Sequence, residues 1–219
     1  MANDSHTELA AVLWDLDGTL VDTEPLWMDA EHELADAHDK AWTQQDGLNL
    51  VGNSLLESGI YIRHRLGIDM EPAEIVDYLV DCLARRLREE EVVWRPGART
   101  LIESLHAEEV PLALVTMSYA AIADPIVSQL PFKAVVTGDA VTHGKPHPEP
   151  YLRAAEMLGV DPAACIAIED SGTGAASANA AGCQVLVVPH FVNVPEAHRR
   201  TQLKTLEGVT PADLRALLI

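Results

Sequence analysis

Five short runs, at residues 11–15, 112–116, 134–137, 165–169 and 184–188, are apolar at consecutive positions instead of alternate ones. A strand with one wet face alternates apolar and polar residues, so a run that does not alternate must be covered on both faces. Helix-like segments at 97–108, 120–129, 148–158 and 172–182 lie between these runs. Strand, helix, strand repeated this way specifies a doubly wound α/β domain built on a parallel sheet. With 219 residues, the chain is long enough for one such domain carrying a smaller insertion.

The insertion is visible as a break in the rhythm, because residues 25–93 offer no convincing strand. In PAEIVDYLVDCLARRLREE, Ile75, Val76, Leu79, Leu83 and Leu87 recur at helical spacing, and Arg85, Arg86 and Arg88 are read as a solvated face. Further helices are expected over 25–37 and 54–66. The division that follows is an α/β core from 1–24 and 94–219, interrupted by an all-helical segment, 25–93. The stretch 192–204 is polar and expected at the surface, and TPADLRALLI reads as a closing helix capped by Thr210.

Charge limits the partners. Fifteen Lys and Arg stand against 34 Asp and Glu, so a nucleic-acid backbone would meet repulsion over most of the surface. No window approaches the roughly 18 apolar residues of a membrane span, and MANDSHTELA lacks a basic stretch followed by an apolar one. The chain is therefore read as a soluble, cytoplasmic monomer whose partner is a small molecule. Cys82, Cys165 and Cys183 are odd in number and form no CxxC pair, which suits a reducing compartment, argues against zinc, and makes them core thiols.

In open α/β sheets, ligands bind beyond the carboxyl ends of the strands. Here the first strand ends at Asp15 and Asp17, the second at Thr116 and Ser118, and the fourth at Glu169 and Asp170, while Lys145 follows the third in GKPHPEPY. Crowded carboxylates are tolerable around a divalent cation, and a set of hard oxygen ligands favours Mg²⁺. Thr116 and Lys145 would then face the metal across a space suited to a phosphoryl group.

These residues resemble the four ordered motifs of the haloacid dehalogenase superfamily of phosphohydrolases: DLDGT at 15–19, Thr116 in LVTMS, Lys145 in HGKPHPEPY, and the acidic pair in IEDSGTGAASANAAG. The resemblance spans residues 11–188 and implies a Rossmann-like core, with the helical insertion as a small cap. DTEPLW at 22–27 is similar to the subgroup that acts on hexose and hexitol phosphates. The resemblance further implies a Mg²⁺-dependent phosphohydrolase of small phosphate monoesters that works through an aspartyl-phosphate. In it Asp15 is the nucleophile and a metal ligand, and Asp17 is the general acid and base and binds metal through its backbone carbonyl. Asp170 completes the metal site, with Glu169 direct or through water. Thr116, Lys145 and the backbone around Leu16, Asp17 and Met117 hold the phosphoryl group.

Three other readings fit less well. Sugar-phosphate mutases of the superfamily have His where this chain has Trp27 and a basic residue in the cap loop, whereas no Lys or Arg occurs between Lys40 and Arg63. Dehalogenases do not need the second aspartate, Asp17. Receiver-type signalling modules lack both DxDGT and a cap. The loop at 48–59 and the first cap helix are expected to line the specificity pocket, with Trp27, Asn53 and Ser54 touching the leaving group. Asp22 and Glu24 are read as helix-terminal charges, Ser118 as a loop hydroxyl and Ser171 as a helix cap; His143, His147 and His190 are not expected to cluster.

Overall fold

The computed structural model describes residues 8–50 and 53–218. Six strands form one sheet: β1 (Ala11–Trp14), β2 (Leu112–Val115), β3 (Ala134–Val136), β4 (Cys165–Glu169), β5 (Gln184–Val187) and β6 (Arg200–Gln202). Their order is β3-β2-β1-β4-β5-β6, and every neighbouring pair is parallel. This is the doubly wound, Rossmann-like α/β fold that the non-alternating runs specify. The pleat sorts neighbouring residues to opposite faces. Val12, Trp14, Leu112, Leu114, Ile166 and Ile168 enter one apolar cluster, and Ala11, Leu13, Ala113, Val115, Cys165 and Ala167 enter the other.

Between β1 and β2 lie α1 (Glu24–Ala37), α2 (Gln44–Leu48), α3 (Leu55–Leu66), α4 (Pro72–Glu89) and α5 (Ala98–Ala107). The first four form the helical insertion: α4 packs against both α1 and α3, and α1 against α2. The two connections between insertion and sheet are tied together, since Asp22 N–H donates to the Val93 carbonyl at 2.8 Å and Arg95 N–H to the Leu20 carbonyl at 3.0 Å. The Arg86 guanidinium reaches Asp29 and Glu33 at 3.3 Å each, joining α4 to the outer face of α1.

The remaining helices are α6 (Ala120–Val127), α7 (Glu149–Leu158), α8 (Gly172–Ala181) and α9 (Pro211–Arg215). Helix α7 lies against β1, β2 and β3, and α8 against β4 and β5. Thr210 caps α9 and all three cysteines are buried thiols, both as expected. Among the described residues, no helix is long and apolar enough to cross a membrane.

Two elements escape the sequence patterns. The stretch 192–204 is not wholly a surface tail, because Arg200–Gln202 pairs with Val185–Val187 and extends the sheet. Helix α2 has no apolar periodicity and is held by polar contacts. Thr43 and Asp46 form a capping box, and Arg65 of α3 grips both Asp46 oxygens at 2.7 and 2.9 Å. Hydrogen bonds from Arg65 and Thr43 hold the Asp46 carboxyl down at about 2.

Candidate active site

Parallel register carries the first strand's acidic end to the fourth strand's. Trp14 lies opposite both Leu114 and Ile168, so Asp15, one residue on, comes level with Val115 and Glu169 at the carboxyl edge. Lys145 reaches this point from the loop before α7. Its buried ammonium donates to Asp15 Oδ1 at 2.7 Å, to Glu169 Oε1 at 2.6 Å and to the Val115 carbonyl at 2.9 Å. Tyr151 of α7 donates its hydroxyl to the same Glu169 oxygen at 2.5 Å. Asp170 follows β4, and the carboxylates of Asp15, Glu169 and Asp170 offer oxygens within 4.8 Å of one another.

Three buried carboxylates against one ammonium leave negative charge in excess, and the proton affinities record it. Burial, followed by the charge of Glu169, pushes the Asp15 carboxyl up to about 7, although Lys145 pulls the other way. Asp170 is raised well above the carboxylate range by burial and then by Asp15 and Glu169. Burial opposes the charge on Lys145, but Asp15 and Glu169 outweigh it and the ammonium is strengthened. A hard divalent cation fits this oxygen set and would relieve the excess. Space is reserved beside it: Gly18 adopts φ +78°, and a side chain there would run into the Asp170 carboxylate.

Asp17 is held by four donors. Its Oδ1 accepts from Thr23 Oγ1 at 2.6 Å and Trp27 Nε1 at 3.4 Å, while its Oδ2 accepts from Ser118 Oγ at 2.7 Å and Thr116 Oγ1 at 3.2 Å. Ser118 is therefore more than a loop hydroxyl. Thr23, at the N-cap position of α1, makes no side-chain cap and turns its hydroxyl to Asp17 instead. Ser171 does cap α8, accepting from Gly174 N–H at 3.0 Å.

A cavity partly open to solvent joins this cluster to the helical insertion. Asp15, Asp17, Met117, Lys145 and Asp170 line its sheet end, and Trp27, Leu50, Asn53, Leu55 and Leu79 line the helical end. Ser54 is not on the cavity wall; it caps α3, with Oγ donating to Glu57 at 2.8 Å. Val51 and Gly52 of the expected specificity loop fall outside the described residues. Glu24 and Glu31 also line the cavity, so Glu24 is more than a helix-terminal charge, and Glu31 carried no signal in the sequence.

The expectation for the histidines holds for His190 and not for the other two. His143, His147 and Glu149 bring donor atoms within 4.8 Å of one another, because Glu149 accepts from the Thr142 and His143 backbone and folds the loop back. His143 and His147 are exposed. His190 stands apart, with Nε2 3.9 Å from Asp22.

Known proteins align over this framework. The phosphorylated carbohydrates phosphatase of Thermotoga maritima is 33% identical over 84% of this chain and 88% of its own. Hexitol phosphatase A of Escherichia coli (strain K12) is 31% identical over 90% and 92%. The crystal structure of a mutant CbbY from Rhodobacter sphaeroides, in complex with xylulose-(1,5)-bisphosphate, superposes with a TM-score of 0.84 at 25% identity, covering 94% of this chain and 99% of that one. The model of the haloacid dehalogenase-like hydrolases matches residues 9–182. By that match and by these relatives, the chain belongs to the haloacid dehalogenase-like hydrolase family.

Proposed function

We propose that the protein is a Mg²⁺-dependent phosphatase of small sugar or polyol phosphates that works through an aspartyl-phosphate on Asp15. The observation that carries this reading is the meeting, at one sheet edge, of Asp15 fixed by Lys145, Asp17 fixed by four donors, and Asp170 beside them. The names of the two phosphatase relatives support the substrate class.

Asp15, Asp170 and the Asp17 backbone carbonyl would hold the cation, with Glu169 contributing directly or through water. When bound, the cation would offset the charge of the carboxylates and of the incoming phosphate. Lys145 orients the Asp15 carboxylate and supplies positive charge where the phosphoryl oxygens gather. Glu169 and Tyr151 keep that ammonium in place. Asp15 attacks phosphorus, and the P–O bond to the leaving alkoxide breaks. Asp17, carrying a proton into this step with a neighbouring hydroxyl turned to accept, delivers it to that alkoxide, then takes one from the water that attacks the aspartyl-phosphate, releasing inorganic phosphate and restoring both residues. Thr116 and Ser118 hold Asp17 before substrate enters, and the Thr116 hydroxyl and Met117 N–H are assigned to a phosphoryl oxygen once it is there.

Residues 25–93 are assigned as a cap that opens and closes over the cavity about the paired segments 20–22 and 93–95. Phosphate release from a panel of sugar and polyol phosphates tests the reading. Release should require Mg²⁺, stop with a strong chelator and resume when Mg²⁺ is restored. Full activity after exhaustive metal removal would contradict it.

A further inference from the structure

Helix α1 divides its charges between two faces. Asp29 and Glu33 meet Arg86 on one face. Glu24, Trp27 and Glu31, spaced three, four and seven residues apart, share the other and line the cavity. Glu31 is only 5% exposed and forms no ion pair among the described residues. Its Oε2 accepts from Trp42 Nε1–H at 2.9 Å, while Oε1 takes no hydrogen bond from any described residue. Gly47 closes over it so tightly that a Cβ there would lie 2.9 Å from Oε2. One carboxylate oxygen is thus anchored to the protein and the other is left for whatever fills the cavity.

A buried, unpaired carboxylate costs stability unless something compensates it. Burial raises the Glu31 carboxyl to about 7, with the Trp42 hydrogen bond opposing and Asp46 adding to the rise. Glu24 is likewise raised to about 7, first by burial and then by Asp17 and Glu31. Among the described residues, Lys145 is the single Lys or Arg on the cavity wall, and its ammonium is committed to Asp15, Glu169 and the Val115 carbonyl. The helical end is therefore an acceptor-rich site without a cation to meet a second phosphate. From Glu24 to Glu31 is about 10 Å along the helix at 1.5 Å per residue, so Glu31 stands well along the cavity from the catalytic loop.

We propose that Glu31 determines leaving-group specificity. Its free oxygen accepts a hydrogen bond from a distal hydroxyl of an uncharged polyol or sugar, and its charge excludes esters bearing a second phosphate. This rests on the phosphatase reading above. Leu50, Leu55 and Leu79 supply apolar wall for the carbon chain, and Trp27 contributes its ring.

The test compares, at about pH 8 where Glu31 is ionised, kcat/KM of the full chain with Mg²⁺ on a hexitol 6-phosphate, glycerol phosphate, a hexose 1,6-bisphosphate and p-nitrophenyl phosphate. The native protein should favour the hexitol ester over glycerol phosphate and over the bisphosphate. Glu31→Gln removes the charge but keeps an acceptor for Trp42, and should raise the bisphosphate-to-hexitol ratio roughly 10-fold. Glu31→Met removes the acceptor as well, and should lower the hexitol-to-p-nitrophenyl ratio roughly 10-fold, the scale of a hydrogen bond to a charged group. A residue serving only to anchor Trp42 would lower all four activities together and leave the ratios unmoved. Unchanged ratios with phosphate still released overturn this inference alone. No Mg²⁺-dependent release from any of the four esters overturns the phosphatase reading and this inference with it.

Discussion

The two ends of the cavity are both acidic, yet they are built differently. At the sheet end, Asp15 and Glu169 share the ammonium of Lys145 at 2.7 and 2.6 Å. At the helical end, Glu24 and Glu31 have no ammonium or guanidinium partner among the described residues. Asp15, Glu24 and Glu31 are all raised to about 7, and burial is the largest cause for each. What differs is compensation. Charge at the sheet end is held in place by Lys145 and suits a divalent cation, so it can be spent on chemistry. Charge at the helical end is uncompensated, which makes that end a discriminator between leaving groups.

The largest effect is expected at the sheet end. Asp15→Asn should abolish turnover of every ester, because an amide is a poor nucleophile and brings no negative charge to the cation. Residual turnover within about 10-fold of native would break the assignment. Next comes Asp17→Asn, which should cost about 10²- to 10⁴-fold on an alkyl phosphate, the usual worth of a placed proton donor, and much less in the first step with an aryl phosphate. Equal losses on both esters in that first step, read as the initial burst of leaving group, would remove Asp17 from protonating the leaving group.

Moving toward the helical end, Trp27→Ala should cost roughly 10-fold more on a hexitol phosphate than on p-nitrophenyl phosphate, the scale of a lost apolar contact in a binding pocket. Trp27 lines the cavity and also donates to Asp17 at 3.4 Å, so equal losses would assign it to holding Asp17. The last effect is on stability and not on rate. Glu31 is raised from the ordinary 4.5 to about 7, so the native state keeps its proton to higher pH than the unfolded chain. Its contribution to stability is therefore present at low pH and is lost as pH rises through about 7. Glu31→Gln should melt close to the native protein near pH 4.5 and be more stable at about pH 8, by on the order of 2–3 kcal/mol. A destabilised variant at about pH 8 would contradict an uncompensated buried charge.

The same contrast explains what was legible in the sequence. β1, β2, β4 and β5 are runs buried on both faces, and their composition alone shows it. Asp15, Thr116, Glu169 and Asp170 were visible because they terminate such strands. β6, sequence RTQ, is a polar edge strand recruited by pairing with β5, and α2 depends on the Asp46–Arg65 contact; neither leaves an apolar period to read. Thr23, Ser118 and Tyr151 serve the site through hydroxyls that reach Asp17 or Glu169, a contact that no apolar pattern announces. Glu31 reads as one more acidic residue on a helix, and only the packing of Trp42 and Gly47 around it shows that it is enclosed.

The most direct test of the chemistry is to trap the phosphoryl group on Asp15. In Asp17→Asn, an aryl leaving group departs without a proton while the water step is slowed, so the covalent intermediate should accumulate. Mass spectrometry of the acid-quenched variant after mixing with p-nitrophenyl phosphate and Mg²⁺ should show one phosphoryl adduct, on the peptide containing Asp15. Steady release of p-nitrophenol with no adduct on that peptide would mean that water attacks the ester itself, and Asp15 would then be a metal ligand only.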